Sequence, residues 1–161
     1  METGERIQQL VSELQLLPHP EGGFYKETYR SIDLVKTPNG ERNICTVIYF
    51  LLTSENVSKF HRIKSDEHWF WHEGSPLTIH ILDQKGHQKL LLGPINGSGS
   101  QPQHMVQAEK IFGSTVDEKV GYALVSCVVA PGFDFEDFEL FSKEELLHDY
   151  SDHEAIISRL T

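Results

Sequence analysis

Between residues 24 and 130 the β-branched and aromatic residues fall in short runs, nearly all separated by glycine, proline, serine or asparagine. A helix needs a sustained period of 3.6, whereas a strand needs only a brief stretch of period two. The pattern excludes an all-helical chain and points to antiparallel β structure. The runs 24–30, 43–53, 57–63, 67–72, 76–82, 88–92 and 122–130 are predicted strands. Pro38-Asn39-Gly40 supplies a tight turn. The segment 93–103 reads as a loop, and within 104–117 only 112–116 carries a pairing pattern.

Helices are expected at both ends. Ile7, Leu10, Val11 and Leu14 recur at helical spacing in 3–16, with Thr3 as cap and Pro18 and Pro20 as the stop. Near the C-terminus, Ser142 with Glu145 and Ser151 with Glu154 have the spacing of capping boxes. Leu146, Leu147, Ile156, Ile157 and Leu160 would form the buried faces. No repeat divides the chain, so one domain over 1–161 is expected, a β-sandwich or barrel with helical decoration.

Composition narrows the function. Lys and Arg number 14 against 24 Asp and Glu, a net charge of −10 that repels phosphate backbones and argues against nucleic-acid binding. No apolar run is long enough for a membrane-spanning helix. The opening Met1-Glu2-Thr3-Gly4-Glu5 has no basic segment followed by an apolar one, so a cytoplasmic location is expected. Cys45 and Cys127 lie in apolar runs and read as reduced core residues. Gly22-Gly23 allow tight backbone geometry but form no dinucleotide fingerprint, and His19 between two prolines reads as closing a loop.

The densest chemical cluster runs from His61 to Gly74. A turn at 64–66 would bring His61 and Glu67 together on adjacent strands, and period two would send Trp69 and Trp71 the same way as Glu67. An imidazole, a carboxyl and two indoles on one wall suit a small polar ring. The facing of His80 is left open by its parity with Thr78 and Leu82. Arg30, Lys59 and Arg62 are candidate anchors for phosphate or carboxylate groups.

His61-x-Ile63-x(3)-Glu67-x(6)-Gly74 resembles the first cupin motif, with Ile63 in place of its second histidine. The second motif, Pro-x-Gly-x-x-His, falls on Gln107, Glu109 and Phe112, none of which matches. Longer strings, Leu17-Pro18-His19-Pro20-Glu21-Gly22-Gly23-Phe24-Tyr25 and Val129-Ala130-Pro131-Gly132-Phe133-Asp134-Phe135-Glu136-Asp137-Phe138-Glu139-Leu140, are similar to an uncharacterised cupin-like family over nearly the whole chain. That resemblance implies a mainly β fold: a cupin-like antiparallel β-barrel, or jelly roll, with an N-terminal helix and short C-terminal helices. It also implies a homodimer.

Cupin metal centres use three imidazoles and a carboxylate, and Ile63 and Phe112 stand at two of the imidazole positions. No metal or other cofactor is therefore expected. The alternative is a divalent metal at His61 and Glu67 completed by His72 or His80. The first motif is also similar to that of the dTDP-sugar 3,5-epimerases, which use no metal. That likeness implies His61 as a base and Tyr122 as an acid; the residue pattern adds Glu67 as the partner of His61 and Trp69, Trp71, His80, Arg30 and Lys59 as candidates around the ligand. The expected function is binding of a carbohydrate or nucleotide-sugar-like molecule, with epimerase or isomerase activity. The rivals are a metal-dependent cupin enzyme and a non-catalytic metabolite-binding or dimeric scaffold protein.

Overall fold

A computed structural model describes residues 1–161. Helix α1 (Thr3–Glu13) is followed by β1 (Leu17–Pro18), β2 (Phe24–Arg30), β3 (Leu34–Thr37), β4 (Gly40–Asn43), β5 (Thr46–Thr53), β6 (Val57–Arg62) and β7 (Asp66–Gly74). Then come β8 (Leu77–Asp83), β9 (Gly86–Leu92), β10 (Gln103–Val106), β11 (Ile111–Thr115), β12 (Tyr122–Ala130) and β13 (Glu139–Leu140). Helices α2 (Lys143–Asp149) and α3 (Glu154–Arg159) end the chain.

The strands form a six-stranded antiparallel sheet, β1-β2-β5-β12-β7-β10, and a five-stranded one, β13-β6-β11-β8-β9. The sheets face each other as a cupin-like jelly roll without closing into a continuous barrel. Strands β3 and β4 make a separate hairpin at the predicted turn. Consecutive strands β6 and β7 lie in different sheets, so His61 and Glu67 meet across the interior, not as neighbours in one sheet.

Alternation along β12 shows why the core sits between the sheets. Ala123, Val125, Cys127 and Val129 point inward, where Phe50, Trp69, Ile79 and Phe112 also pack. The outer faces are only partly covered. Helix α1 lays Leu10 against Leu51 and Leu124, and the C-terminal helices lay Leu146, Ile157 and Leu160 against Phe60 and Leu82. The Ser142–Glu145 capping box forms. The one expected at Ser151 does not, because 151–153 is a 3₁₀ turn and α3 starts after His153 without a side-chain cap. Glu2 with Glu5, in place of Thr3, caps α1. No helix is long and apolar enough to cross a membrane.

Three β-bulges break the alternation, one at His72 of β7, where the register with β12 shifts, and two beside the cavity. In β2 the register with β5 shifts between Glu27 and Tyr29, leaving Thr28 over. In β6 the register with β11 shifts between Phe112 and Ser114. Each extra residue reverses which side chains face inward.

Candidate functional site

A cavity of about 240 Å³ opens at one end of the interior. Its polar lining includes His19, Glu21, Glu27, Arg30, Thr46, His61 and Glu67, and its apolar lining includes Tyr25, Ile48, Ile63, Phe133 and Phe135. Strand β6 contributes His61, which is 3% exposed. Its bulge also lets Ser58, three residues earlier, reach the cavity loop and donate from Oγ to Glu21 Oε1 at 3.1 Å.

The segment between β1 and β2 carries His19 and Glu21. In the sequence alone both read as parts of a loop, without chemistry of their own. A glycine makes their placement possible. Gly22 has φ +113°, and a Cβ there would fall almost on the Val57 carbonyl oxygen. With no side chain, the loop lies flat on β6, and the Lys59 N–H donates to the Glu21 carbonyl at 2.8 Å. The signal that could have found the pair is a carboxyl and an imidazole fixed among two prolines and two glycines.

Hydrogen-bond accounting sets the protonation state. His61 Nδ1 lies 2.6 Å from the Lys59 carbonyl oxygen and donates to it. A neutral ring then presents a lone pair at Nε2, and Glu21 Oε2 is 3.0 Å away. One proton must lie between them. Burial pushes the His61 pKa down to about 4, against the pull of the Lys59 carbonyl. Burial also holds Glu21 well above the usual carboxylate range, reinforced by the nearby Glu67 charge. Both shifts favour a neutral pair in which the Glu21 carboxylic acid donates to His61.

Glu67, from β7 in the opposite sheet, is 9% exposed. Burial raises its pKa to about 7, with a partial offset from the Trp69 indole. That indole N–H lies outside ordinary hydrogen-bond geometry and has no partner. His19 is likewise held neutral, pushed to about 4 by burial, and its ring packs edge-on against Tyr25 at 4.5 Å. The cavity therefore holds a protonated acid, a carboxyl that ionises near neutrality and two uncharged imidazoles.

The other residues singled out in the sequence lie elsewhere, apart from Arg30, which lines the cavity. Trp69 points inward as parity requires, but deeper, between the edges of Phe50 and Phe112 at 6.0 and 6.3 Å. Trp71 packs against the same core and bonds the Ser75 carbonyl. Tyr122 has the opposite parity to Ala123 and Cys127. It projects to the outer face, where its hydroxyl donates to Glu73 Oε1 at 2.9 Å, beside Arg6 of α1. Tyr122→Phe is accordingly expected to cost about 1 kcal/mol of stability in a denaturant melt. Ligand binding should be unaffected.

His80 also faces outward, under α3, bonded to His87 and Thr115 at 2.9 and 2.8 Å. The Lys59 side chain is exposed, and the residue meets the site through its backbone. Arg62 pairs with Glu139 on the surface.

The donor set does not fit a cupin metal centre. Both nitrogens of His61 are engaged, Phe112 packs 4.2 Å from its ring, and Ile63 offers no lone pair. No three His, Cys, Asp or Glu side chains are placed to hold an ion.

Comparison with known proteins supports the same architecture. A protein of Shewanella oneidensis is 41% identical, with a TM-score of 0.88 over 96% of each chain. A hypothetical protein from Leishmania major is 39% identical, with a TM-score of 0.89 over 96% of this chain and 97% of its own. An uncharacterised protein of Saccharomyces cerevisiae is 33% identical over 88% of this chain and 79% of its own. Residues 8–141 match the family model described as Cupin superfamily (DUF985), and the chain belongs to that family.

Proposed function

We propose that the chain binds a small hydroxylated carbonyl compound of the carbohydrate class in this cavity and isomerises it by proton transfer. The supporting observation is the pairing of a buried acid, Glu21, with a buried carboxyl, Glu67, that is half ionised near pH 7. About 240 Å³ is slightly below the ~300–1,000 Å³ of drug-sized sites, which suits a single sugar-sized molecule. The nucleotide of a nucleotide sugar would lie outside.

Ionised Glu67 takes the proton from the carbon beside the carbonyl. The C–H electron pair becomes a C=C bond, and the carbonyl pair moves onto oxygen. That oxygen takes the Glu21 proton, which leaves its hydrogen bond to His61 Nε2, and Glu21 recovers one from the neighbouring hydroxyl as the new carbonyl forms and donates it to His61 again. Glu67 then returns its proton to the adjacent carbon. His61 holds Glu21 in its protonated form and orients it. With His61 Nε2 committed to Glu21, the role of base passes to Glu67. Epimerisation needs a second group on the opposite face of the ring, and Tyr122 is not in the cavity. The geometry therefore favours isomerisation by one base.

The test is solvent-deuterium incorporation at the carbon next to the carbonyl, followed by NMR over a panel of aldoses and ketoses. The rate is expected to rise with pH through about 7 as Glu67 loses its proton. Glu67→Gln should lower it by roughly 10²–10⁴-fold. Undiminished exchange in that variant would overturn the assignment. For the expected homodimer, the outer face of the six-stranded sheet beyond α1 offers half-buried Val47, Phe70 and Val128, on which a second copy would pack.

A further inference from the structure

We infer that the bulge at Thr28 is a charge-selecting device that makes the cavity reject phosphorylated and carboxylated ligands. In a regular strand Glu27 and Arg30, three residues apart, would face opposite sides of the sheet. The register shift between Glu27 and Tyr29 turns both toward the cavity, and both line it. This inference rests on the reading of the cavity as a carbohydrate site and names the class of carbohydrate.

Arg30 is the one lysine or arginine in the lining, and its guanidinium is already used. Nη2 and Nε donate to the two Glu27 oxygens at 2.6 and 3.2 Å. Nη1 donates to Asn43 Oδ1 at 2.7 Å and to the Phe133 carbonyl at 3.0 Å. Of five N–H groups, one on Nη2 is left over. Asn43 is itself held by the Ser31 carbonyl at 2.7 Å, so the arrangement is anchored on β4 and on the 131–134 loop. The pair sits at the cavity mouth, with both side chains a little over a third exposed, and an incoming anion would compete there with the Glu27 carboxylate for the guanidinium.

No other group supplies positive charge. Burial holds His19 and His61 neutral. Ionisation of Glu67 or Glu21 adds only negative charge. An anion passing inward beyond this exposed pair, to the buried Glu21, His61 and Glu67, would lose its hydration and meet no free counter-charge, a net cost. A hydroxyl-rich neutral molecule meets none of this, and its hydroxyls can donate to Glu67, which has no hydrogen bond of ordinary geometry within the protein. The substrate class is thus an unphosphorylated sugar or related hydroxy-carbonyl compound. The reaction that supplies it is a hydrolysis that leaves no phosphate, or one that precedes phosphorylation.

The experiment measures affinity and deuterium exchange for matched pairs, a free sugar and its monophosphate, in the wild type and two variants. The wild type is expected to bind the free sugar at least about tenfold more tightly. Glu27→Gln releases the Arg30 guanidinium, and the ratio should fall about tenfold. Arg30→Met leaves Glu27 uncompensated, and the ratio should move the other way. A wild type that prefers the phosphate, or a ratio unmoved by both variants, overturns the inference. Neutral-sugar preference without exchange would overturn the proton-transfer reading and leave charge selection standing. Failure to bind any neutral sugar overturns both.

Discussion

Glu67→Gln is expected to stabilise the protein at pH 8 while abolishing the proton transfer proposed for Glu67. Burial raises the Glu67 pKa from 4.5 to about 7, so the folded state holds this proton more tightly than the unfolded state. Between those values the folded chain binds more protons, and stability falls as pH rises. The group costs nothing below about pH 4.5. Its penalty grows to about 3 kcal/mol above pH 7, since each tenfold gain in proton affinity on folding is worth about 1.36 kcal/mol. Glutamine keeps the shape, removes the ionisation, and should recover most of that energy at pH 8 and little at pH 4.5. For a chain of this length the gain corresponds to roughly 6–12 °C in Tm. Melting curves of both proteins at the two pH values check it. Equal stability at pH 8 would mean that Glu67 ionises as readily as a surface carboxyl and is not poised as a base.

His61 and Glu67, though not their roles, are legible in the sequence. They stand out because an imidazole and a carboxyl occur in otherwise apolar, alternating strands, and the structure puts both in one cavity. The strands were legible for the same reason: 24–30 and 122–130 coincide with β2 and β12. Strand β10 was not, because Gln103-His104-Met105-Val106 sits on a sheet edge and buries only its last residue. Alternation says which face a residue takes but not how deep it lies. Trp69 and Trp71 therefore belong to the core, although their inward parity was right for a ligand platform. Tyr122 could have been placed by parity alone, since it is out of step with Cys127 and Val129. Two things lie beyond what period counting can show. The bulges in β2 and β6 reverse facing without any residue pattern that announces them, and Arg30 with Glu27 depends on one of them. Glu21 and His19 lie on a segment with no period at all, so nothing in the sequence ties them to β6.

Gly22→Ala should show how much depends on that tie. At φ +113° an alanine is strained in any surroundings, and its Cβ would collide with the Val57 carbonyl oxygen, which belongs to a strand and cannot swing aside. The loop must lift, breaking the bond from the Lys59 N–H to the Glu21 carbonyl and that from Ser58 Oγ to the Glu21 carboxyl. A destabilisation of about 3 kcal/mol or more is expected from strain, clash and lost hydrogen bonds together. Gly97→Ala is the matched comparison. Its φ is +84° but nothing lies within 4 Å of the added carbon, so strain alone acts, at roughly 1 kcal/mol. The excess loss in Gly22→Ala measures the seating of the loop on β6. It should be accompanied by loss of ligand affinity, because a lifted loop removes the acid that His61 holds. Equal, small losses in the two variants would mean that Glu21 reaches the cavity on a loose segment, and the acid assigned to it would have no fixed place.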